Sequence, residues 1–275
     1  MPGFKLTNSD IDYLEALIDQ AGAAIINIYQ DVEAVMIGQT IKVDHSPLTQ
    51  ADLVANQILV KGLKSRWPTI PILSEEGADS FGINQEYEYY WAVDPLDGTK
   101  EFIKRNGEFT VNVALIYLGK PILGIVFAPA LESMYMGYNS SEIVPIKDVP
   151  EARKRNYGAW ENIAASSDNQ SNLTGPIRIV ASRSHPSPEL QSWLKQYPNH
   201  ELLEVGSSLK FCYVGEGKAD LYPRLGPTCI WDTAAGHAIV LAAGGCVKDA
   251  TNQELTYSHP FDVTNPQFLA RGKLY

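Results

Sequence analysis

The stretch Trp91-Ala92-Val93-Asp94-Pro95-Leu96-Asp97-Gly98-Thr99-Lys100-Glu101-Phe102 constrains this chain more than any other. Tyr89 to Val93 is a short apolar run and reads as a buried strand. It leads straight into two carboxylates, a proline, a glycine and a threonine. Asp94 and Asp97 are three apart across a turn and can face one side. Convergent carboxylates repel each other, and a divalent cation is the usual means of holding them together. Gly98 and Thr99 stand where a helix could begin, and free N–H groups at a helix start bind phosphate. The plain alternative is an Asx-rich turn punctuated by Pro and Gly. It weakens because two further stretches complete the same set of groups.

The first is Ser74-Glu75-Glu76-Gly77, which follows a short strand predicted over Ile70 to Leu73 and would by itself be a solvated turn. The second is Trp231-Asp232-Thr233-Ala234-Ala235-Gly236, which opens a helix of small residues reaching Ala243, where Gly244-Gly245 stops it. Glu75, Asp94, Asp97 and Asp232 all fall at strand ends or helix starts, positions that converge on clefts between layers. Carboxylates without cysteine or histidine make a hard-oxygen site, hence Mg²⁺. Two ions sharing Asp94, roughly 3.5–4 Å apart, would acidify a water and stabilise the leaving oxygen of a hydrolysis. Thr99 is placed to orient that water. Asp52 is the third residue of a helix capped by Thr49 and ending near Lys64. It either serves the helix dipole or points into the site as base or ligand.

Elsewhere, Ile11, Leu14, Leu17, Ile18, Ala21, Ile25 and Ile28 recur at helical spacing, predicting a sheet-covering helix from about Asp10 to the mid-30s, capped by Ser9. Val111–Leu118 and Ile122–Phe127 read as strands joined at Gly119-Lys120-Pro121, and Met134–Met136 as a further short strand. From Tyr138 to Thr174 the chain is polar and aperiodic, which predicts a loop or inter-domain excursion. Strands at Ile177–Ala181, Ala219–Tyr222, Val247 and Phe268 then alternate with helices at Pro188–Gln196, after Gly206 and after Trp231, with Arg224 in a loop. Such alternation means an α/β layer. The expected division is an N-terminal α+β domain with the metal site (1–137), a polar excursion (138–174) and a C-terminal α/β domain (175–275).

The formal charge of −10 without a basic run argues against a nucleic-acid polymer as partner. It leaves room for a small anion, because a metal and a few basic groups reverse the field in a cleft. Cys212, Cys229 and Cys246 lack C-x-x-C spacing and read as core thiols in a reducing compartment. His237, on the helix after Asp232, reads as structural. The N-terminus carries no secretory pattern and no apolar run approaches the ~18 residues of a membrane span, so the expected address is the cytoplasm.

Glu75-Glu76, Asp94-Pro-Leu-Asp97-Gly-Thr99 and Trp231-Asp-Thr-Ala-Ala-Gly236 together resemble the three signatures of the inositol monophosphatase superfamily of Mg²⁺-dependent, lithium-sensitive phosphomonoesterases. The resemblance implies an α/β fold of mixed layers, a two-domain αβαβα sandwich. Asp97 to Asn112, Ser182-Arg183-Ser184-His185 and Gly206 to Cys212 further resemble the bacterial CysQ-type 3′(2′),5′-bisphosphate nucleotidases. That group hydrolyses adenosine 3′,5′-bisphosphate to AMP and phosphate, in connection with sulfur assimilation. Some members act on the sulfated form, 3′-phosphoadenylyl sulfate, and some on inositol polyphosphates. The polar stretch after Tyr138 is longer than expected of the group.

By the same resemblance, Glu75, Asp94, Asp97, Asp232 and the Leu96 carbonyl hold two or three Mg²⁺ ions. Thr99 and Asp52, with Glu75, activate water. Leu96, Asp97, Gly98, Thr99 and Asp232 surround the scissile phosphate, while His185, Ser207, Lys210 and Arg224 contact the rest of a small phosphorylated nucleotide. A monomer or homodimer without a stable partner of another kind is implied, and for some members a peripheral association with the inner membrane. Arg224 stands where the inositol monophosphatases carry a glutamate for substrate hydroxyls, and an arginine there suits a second phosphate. Lys100-Glu101 likewise replaces the x-Asn that follows Asp-Gly-Thr in those enzymes. Against these roles, Lys210 reads equally as a solvated helix residue, His185 as a cap and Arg224 as a surface ion-pair partner. Two rivals stay open: an inositol phosphatase with the same machinery, and a non-catalytic nucleotide- or metal-binding regulator, against which the complete ligand set argues.

Overall fold

The computed structural model describes residues 4–31, 40–41, 47–77, 87–139, 151–156, 158–166, 175–184, 188–258 and 262–273. In chain order, α1 (Asn8–Gln30) is followed by the short pair β1 (Thr40–Ile41) and β2 (Pro47–Leu48), then by α2 (Gln50–Arg66). A seven-stranded sheet comprises β3 (Ile72–Ser74), β4 (Tyr89–Asp97), β5 (Thr110–Tyr117), β6 (Lys120–Ala128), β7 (Ser133–Tyr138), β8 (Glu151–Asn156) and β9 (Ala159–Asn162), in that spatial order. The short helix α3 (Thr99–Ile103) interrupts it after β4. The rest of the chain is β10 (Ile177–Ser182), α4 (Pro188–Leu194), β11 (His200–Val205), α5 (Leu209–Gly215), β12 (Leu221–Arg224), α6 (Ile230–Ala242), β13 (Cys246–Asp249) and β14 (Phe268–Arg271). Its five strands form a second sheet in the order β11-β10-β12-β14-β13.

Strand alternation builds the layers. On β4, Trp91 and Val93 point to one face with Val111, Val113 and Leu115 of β5, where Leu14, Ile18 and Ile25 of α1 and Leu59 of α2 cover them. Tyr90, Ala92, Ala114 and Ile116 point to the opposite face and pack on α5 and α6, which also meet the second sheet through Val180, Tyr222 and Phe268. Ile179, Ala181 and Leu221 pack against Leu190 and Leu194 of α4. The result is the expected α/β sandwich, layered αβαβα. The α6 layer is pressed close to the first sheet. A Cβ on Gly124 would lie 2.2 Å from the Ala235 carbonyl oxygen, and one on its cross-strand partner Gly137 would lie 2.6 Å from the Ile239 Cα. Side chains at these two positions would push the helix off the sheet.

Several expectations need correction. Thr7, not Ser9, caps α1, because Thr7 and Asp10 form a reciprocal capping box two residues earlier. That helix ends at Gln30 rather than the mid-30s, and residues 32–39 lie outside the described set. The first buried strand does not stop at Val93 but runs through Asp97.

The polar stretch after Tyr138 is not wholly a loop, since β8 and β9 extend the sheet. Their polarity has a local cause: β8 runs along the acidic side of α1. Arg153 pairs with Glu15 at 2.8 Å, Arg155 pairs with Asp19, and the Arg153 guanidinium stacks 4.4 Å from the Trp160 ring. Strand β11 was not foreseen, because its half-exposed edge lacks apolar alternation. Arg224 closes β12 rather than lying in a loop. Among the described residues, no helix is long and apolar enough to cross a membrane.

Candidate active site

On a regular strand, residues three apart point to opposite faces. Asp94 and Asp97 escape that rule through a bulge. Asp94 pairs with Asn112 and Asp97 with Thr110, so β4 carries one residue more than β5 between the two pairs. Pro95 within the bulge needs no ladder partner for its nitrogen. The Leu96 N–H folds back to Asp94 Oδ1 at 3.0 Å. Gly98 then turns the chain with φ of 88°, a conformation that favours glycine, and Thr99 starts α3.

Asp232 reaches the same place from the second half of the chain. It is the third residue of α6, and its Oδ2 accepts the Cys229 N–H at 2.7 Å in a capping box. Asp94, Asp97 and Asp232 each bring a carboxylate oxygen to within 4.8 Å of the others. Glu75, just past β3, is held by its N–H to the Val93 carbonyl at 3.1 Å and lies beside Asp94. Burial pushes the Asp94 carboxyl well above the usual range, and the charges of Glu75, Asp97 and Asp232 push it further. Burial and the Asp97 charge raise Asp232 to about 7, although the Cys229 N–H lowers it. An all-oxygen donor set whose members repel one another is suited to a hard divalent cation.

Thr99 and Asp52 meet across the interval between α3 and α2. Thr99 Oγ1 lies 3.5 Å from Asp52 Oδ1 and 3.4 Å from the Leu96 carbonyl oxygen. The other Asp52 oxygen accepts the Thr49 N–H at 2.8 Å and hydroxyl at 2.5 Å. The capping role and the approach to Thr99 therefore coexist, one oxygen each.

A cleft of about 250 Å³ is lined by Asp97, Gly98, Thr99 and Asp232 together with Lys210 and Arg224. Lys210 is buried rather than solvated, at 5% exposure, and its ammonium donates to the Ser207 carbonyl. Burial lowers Lys210 to about 8; Asp97 opposes that shift and Arg224 adds to it. Arg224 Nη2 donates to the Pro227 carbonyl at 2.7 Å, while its buried Nε has no partner. Ser207, in the left-handed region at φ of 48°, lines the cleft with a buried hydroxyl that is also unpartnered. His185 lies outside the described residues.

Three residues here escaped the reading of the sequence: Glu108, Asn112 and Ser208. Glu108 accepts the Gly206 N–H at 2.8 Å and holds Arg183 through two 2.9 Å contacts, anchoring the turn before α5. Glu101, buried on the cleft wall, accepts the Ser184 hydroxyl. Asn112 carried a legible signal, an amide inside the apolar run Val111 to Leu118, where a buried polar group needs a reason. Cys212, Cys229 and Cys246 are all free thiols. His237 is buried, with Nδ1 3.0 Å from the Tyr257 hydroxyl, and burial lowers it to about 3, as a structural histidine requires.

The chain resembles known proteins along nearly its whole length. The CysQ 3′(2′),5′-bisphosphate nucleotidase of Salmonella typhimurium is 45% identical over 252 residues, 92% of this chain and 95% of that protein. The Escherichia coli K12 protein of the same name is 44% identical over 258 residues, 94% of this chain and 98% of that one. A crystal structure of CysQ from Bacteroides thetaiotaomicron, 36% identical, superposes with a TM-score of 0.80 over 97% of this chain and 98% of its own. The Thermotoga maritima IMPase, 22% identical with a TM-score of 0.75 over 97% of this chain and 93% of its own, shares the fold. The inositol monophosphatase family model matches residues 8–273, and with these relatives it makes the chain a member of the inositol monophosphatase family.

Proposed function

We propose that this protein is a Mg²⁺-dependent phosphatase that removes the 3′-phosphate from adenosine 3′,5′-bisphosphate, yielding AMP and phosphate. One observation carries the reading: a single cleft is lined both by mutually repelling carboxylates and by two cationic side chains. The substrate has two phosphates, and the cleft has two kinds of place for them.

Glu75, Asp94, Asp97, Asp232 and the Leu96 carbonyl would hold two or three Mg²⁺ ions. Such ions supply an acidified water and neutralise charge on the leaving oxygen. Gly98 and Thr99 hold the phosphate to be removed. Asp52 fixes the Thr99 hydroxyl, and the pair orients the attacking water and takes up its proton, with Glu75 assisting. In the same cleft, Lys210, Arg224 and Ser207 bind the remaining phosphate, together with His185. The buried Ser207 hydroxyl and Arg224 Nε support this assignment, because unpartnered polar groups in a native interior are costly unless a ligand meets them. Arg224 favours a bisphosphate over an inositol monophosphate, since a guanidinium pairs with phosphate oxygens rather than accepting sugar hydroxyls. The reading includes a cytoplasmic protein serving sulfur assimilation, as monomer or homodimer.

The test is phosphate release with Mg²⁺ from adenosine 3′,5′-bisphosphate and from inositol 1-phosphate, each with and without Li⁺. Preference for the nucleotide, lost with Li⁺, is expected. Preference for the inositol phosphate would remove the second-phosphate assignment and keep the metal site. Release from neither would overturn the enzymatic reading and favour a binding protein.

A further inference from the structure

We propose that Ser208, backed by Asn112, is a positioning residue that sets Asp97 relative to Asp232 and so tunes cation binding. The proposal rests on the cation-site part of the function given above, not on the choice of substrate. Ser208 is 3% exposed and lies in the turn between β11 and α5. Its hydroxyl is 2.8 Å from Asp97 Oδ2 and 2.8 Å from the Asp232 carbonyl oxygen. Asn112, 1% exposed on β5, donates its Nδ2 to the same hydroxyl at 2.9 Å. One oxygen thus touches β4 and β5 of the first sheet and the first turn of α6, joining two layers of the sandwich.

The chemistry of the hydroxyl explains why serine suits the position. It has one proton and two acceptor sites. The Asn112 amide occupies an acceptor site, which directs the single proton toward the Asp97 carboxylate and the Asp232 carbonyl. A neutral donor on Asp97 Oδ2 fixes the rotation of the carboxylate without cancelling its charge, which stays available to a cation. A lysine in this place would compete with the cation; an alanine would leave Asp97 free to turn away from its like-charged neighbours. The Asp232 side chain is already held by the Cys229 N–H, so Ser208 links Asp97 to a ligand whose position is set. Outer partners of metal ligands typically change metal affinity 10- to 100-fold when removed.

The test is a calorimetric titration of the whole protein with Mg²⁺, and with Mn²⁺ followed by its paramagnetic signal, in the absence of substrate. Ser208→Ala is expected to weaken binding by about tenfold. Ser208→Thr, which keeps the hydroxyl, is expected to restore most of it. Asn112→Ala should weaken binding in the same direction by less, and the double variant should be no weaker than Ser208→Ala, since Asn112 acts through Ser208. With saturating Mg²⁺, KM for the nucleotide should not move.

Binding by Ser208→Ala within about twofold of the unmodified protein would overturn the proposal. So would a loss that Ser208→Thr does not restore. If Ser208→Ala does not fold, unchanged binding by Asn112→Ala overturns it equally. Unmodified protein that binds divalent cations but hydrolyses neither substrate would remove the nucleotidase reading and leave this one standing. Absence of cation binding would overturn both.

Discussion

The starts of α1 and α6 are built from the same local device and put to different uses. Each has an aspartate at the third helical position that reaches back to the cap. In α1, Asp10 Oδ2 accepts the Thr7 N–H at 2.6 Å and Oδ1 accepts Arg66 Nε at 2.8 Å. In α6, Asp232 Oδ2 accepts the Cys229 N–H, but the carboxyl faces Asp97, Glu75 and Asp94. Burial pushes both carboxyls up. For Asp10, the hydrogen bonds from Thr7 and the Arg66 charge more than offset burial and hold it below the usual value. For Asp232, like charges add to burial. A capping box commits one carboxylate oxygen; what meets the other decides between a structural and a chemical role. Asp52, which caps α2 and touches Thr99, stands between the two cases.

The comparison is broken most severely by Asp232→Asn. The amide keeps a capping acceptor and removes the charge, so the fold should persist while Mg²⁺-dependent turnover falls about a thousandfold, the loss of several kcal/mol of charge stabilisation. Without metal, the melting temperature of this variant should equal or exceed that of the unmodified protein, because a repulsion is relieved. Next comes Asp52→Asn, for which kcat should drop roughly 100-fold, the usual contribution of a positioned acid–base group, with a small change in melting temperature. Turnover within a few-fold of the unmodified enzyme would confine Asp52 to its capping role.

A pH series sharpens the contrast, because the two aspartates act with opposite sign. Metal-free folded protein holds the Asp232 proton more tightly than the unfolded chain does. Its contribution is therefore complete below the ordinary value of 3.8 and is lost as pH rises through about 7. Asp94 shifts in the same direction. Asp10, held low, contributes above 3.8, and that contribution is lost as pH falls. The metal-free melting temperature should decline from mildly acidic toward neutral pH, and saturating Mg²⁺ should flatten the decline, since the ion binds the deprotonated carboxylates. A metal-free curve that rises over this range would contradict the burial and repulsion described for Asp232. The smallest effect belongs to Asp10→Asn, which should cost about 1 kcal/mol in denaturant unfolding and leave turnover within about twofold.

Much of this molecule was legible in its sequence, for identifiable reasons. The apolar strands β4 to β6 and the amphipathic α1 announce themselves by periodicity, because each buries one face or both against a purely apolar neighbour. The carboxylates stood out because acid at a strand end needs a counterpart. What stayed hidden depended on partners remote in sequence. The arginines of β8 look like loop residues until the acidic side of α1 is laid against them. The bulge that turns Asp94 and Asp97 to one side is a property of the β4–β5 register, which a single strand does not display. Ser208 carries no signal in the sequence, because its significance is a distance to Asp97 and to Asp232.

The glycine pair under α6 has a temporal consequence. Gly124 and Gly137 leave a furrow into which the Asp232 helix settles backbone to backbone. As the chain leaves the ribosome, that furrow and the two aspartates of β4 are made long before the helix that fills it. Until then the sheet shows water an apolar face bearing Tyr90, Ala92, Ile116 and Val126, beside acids that lack their third companion. A growing chain in this condition offers a cation no complete cage. Ion capture therefore comes late in biogenesis and reports that the last layers have docked.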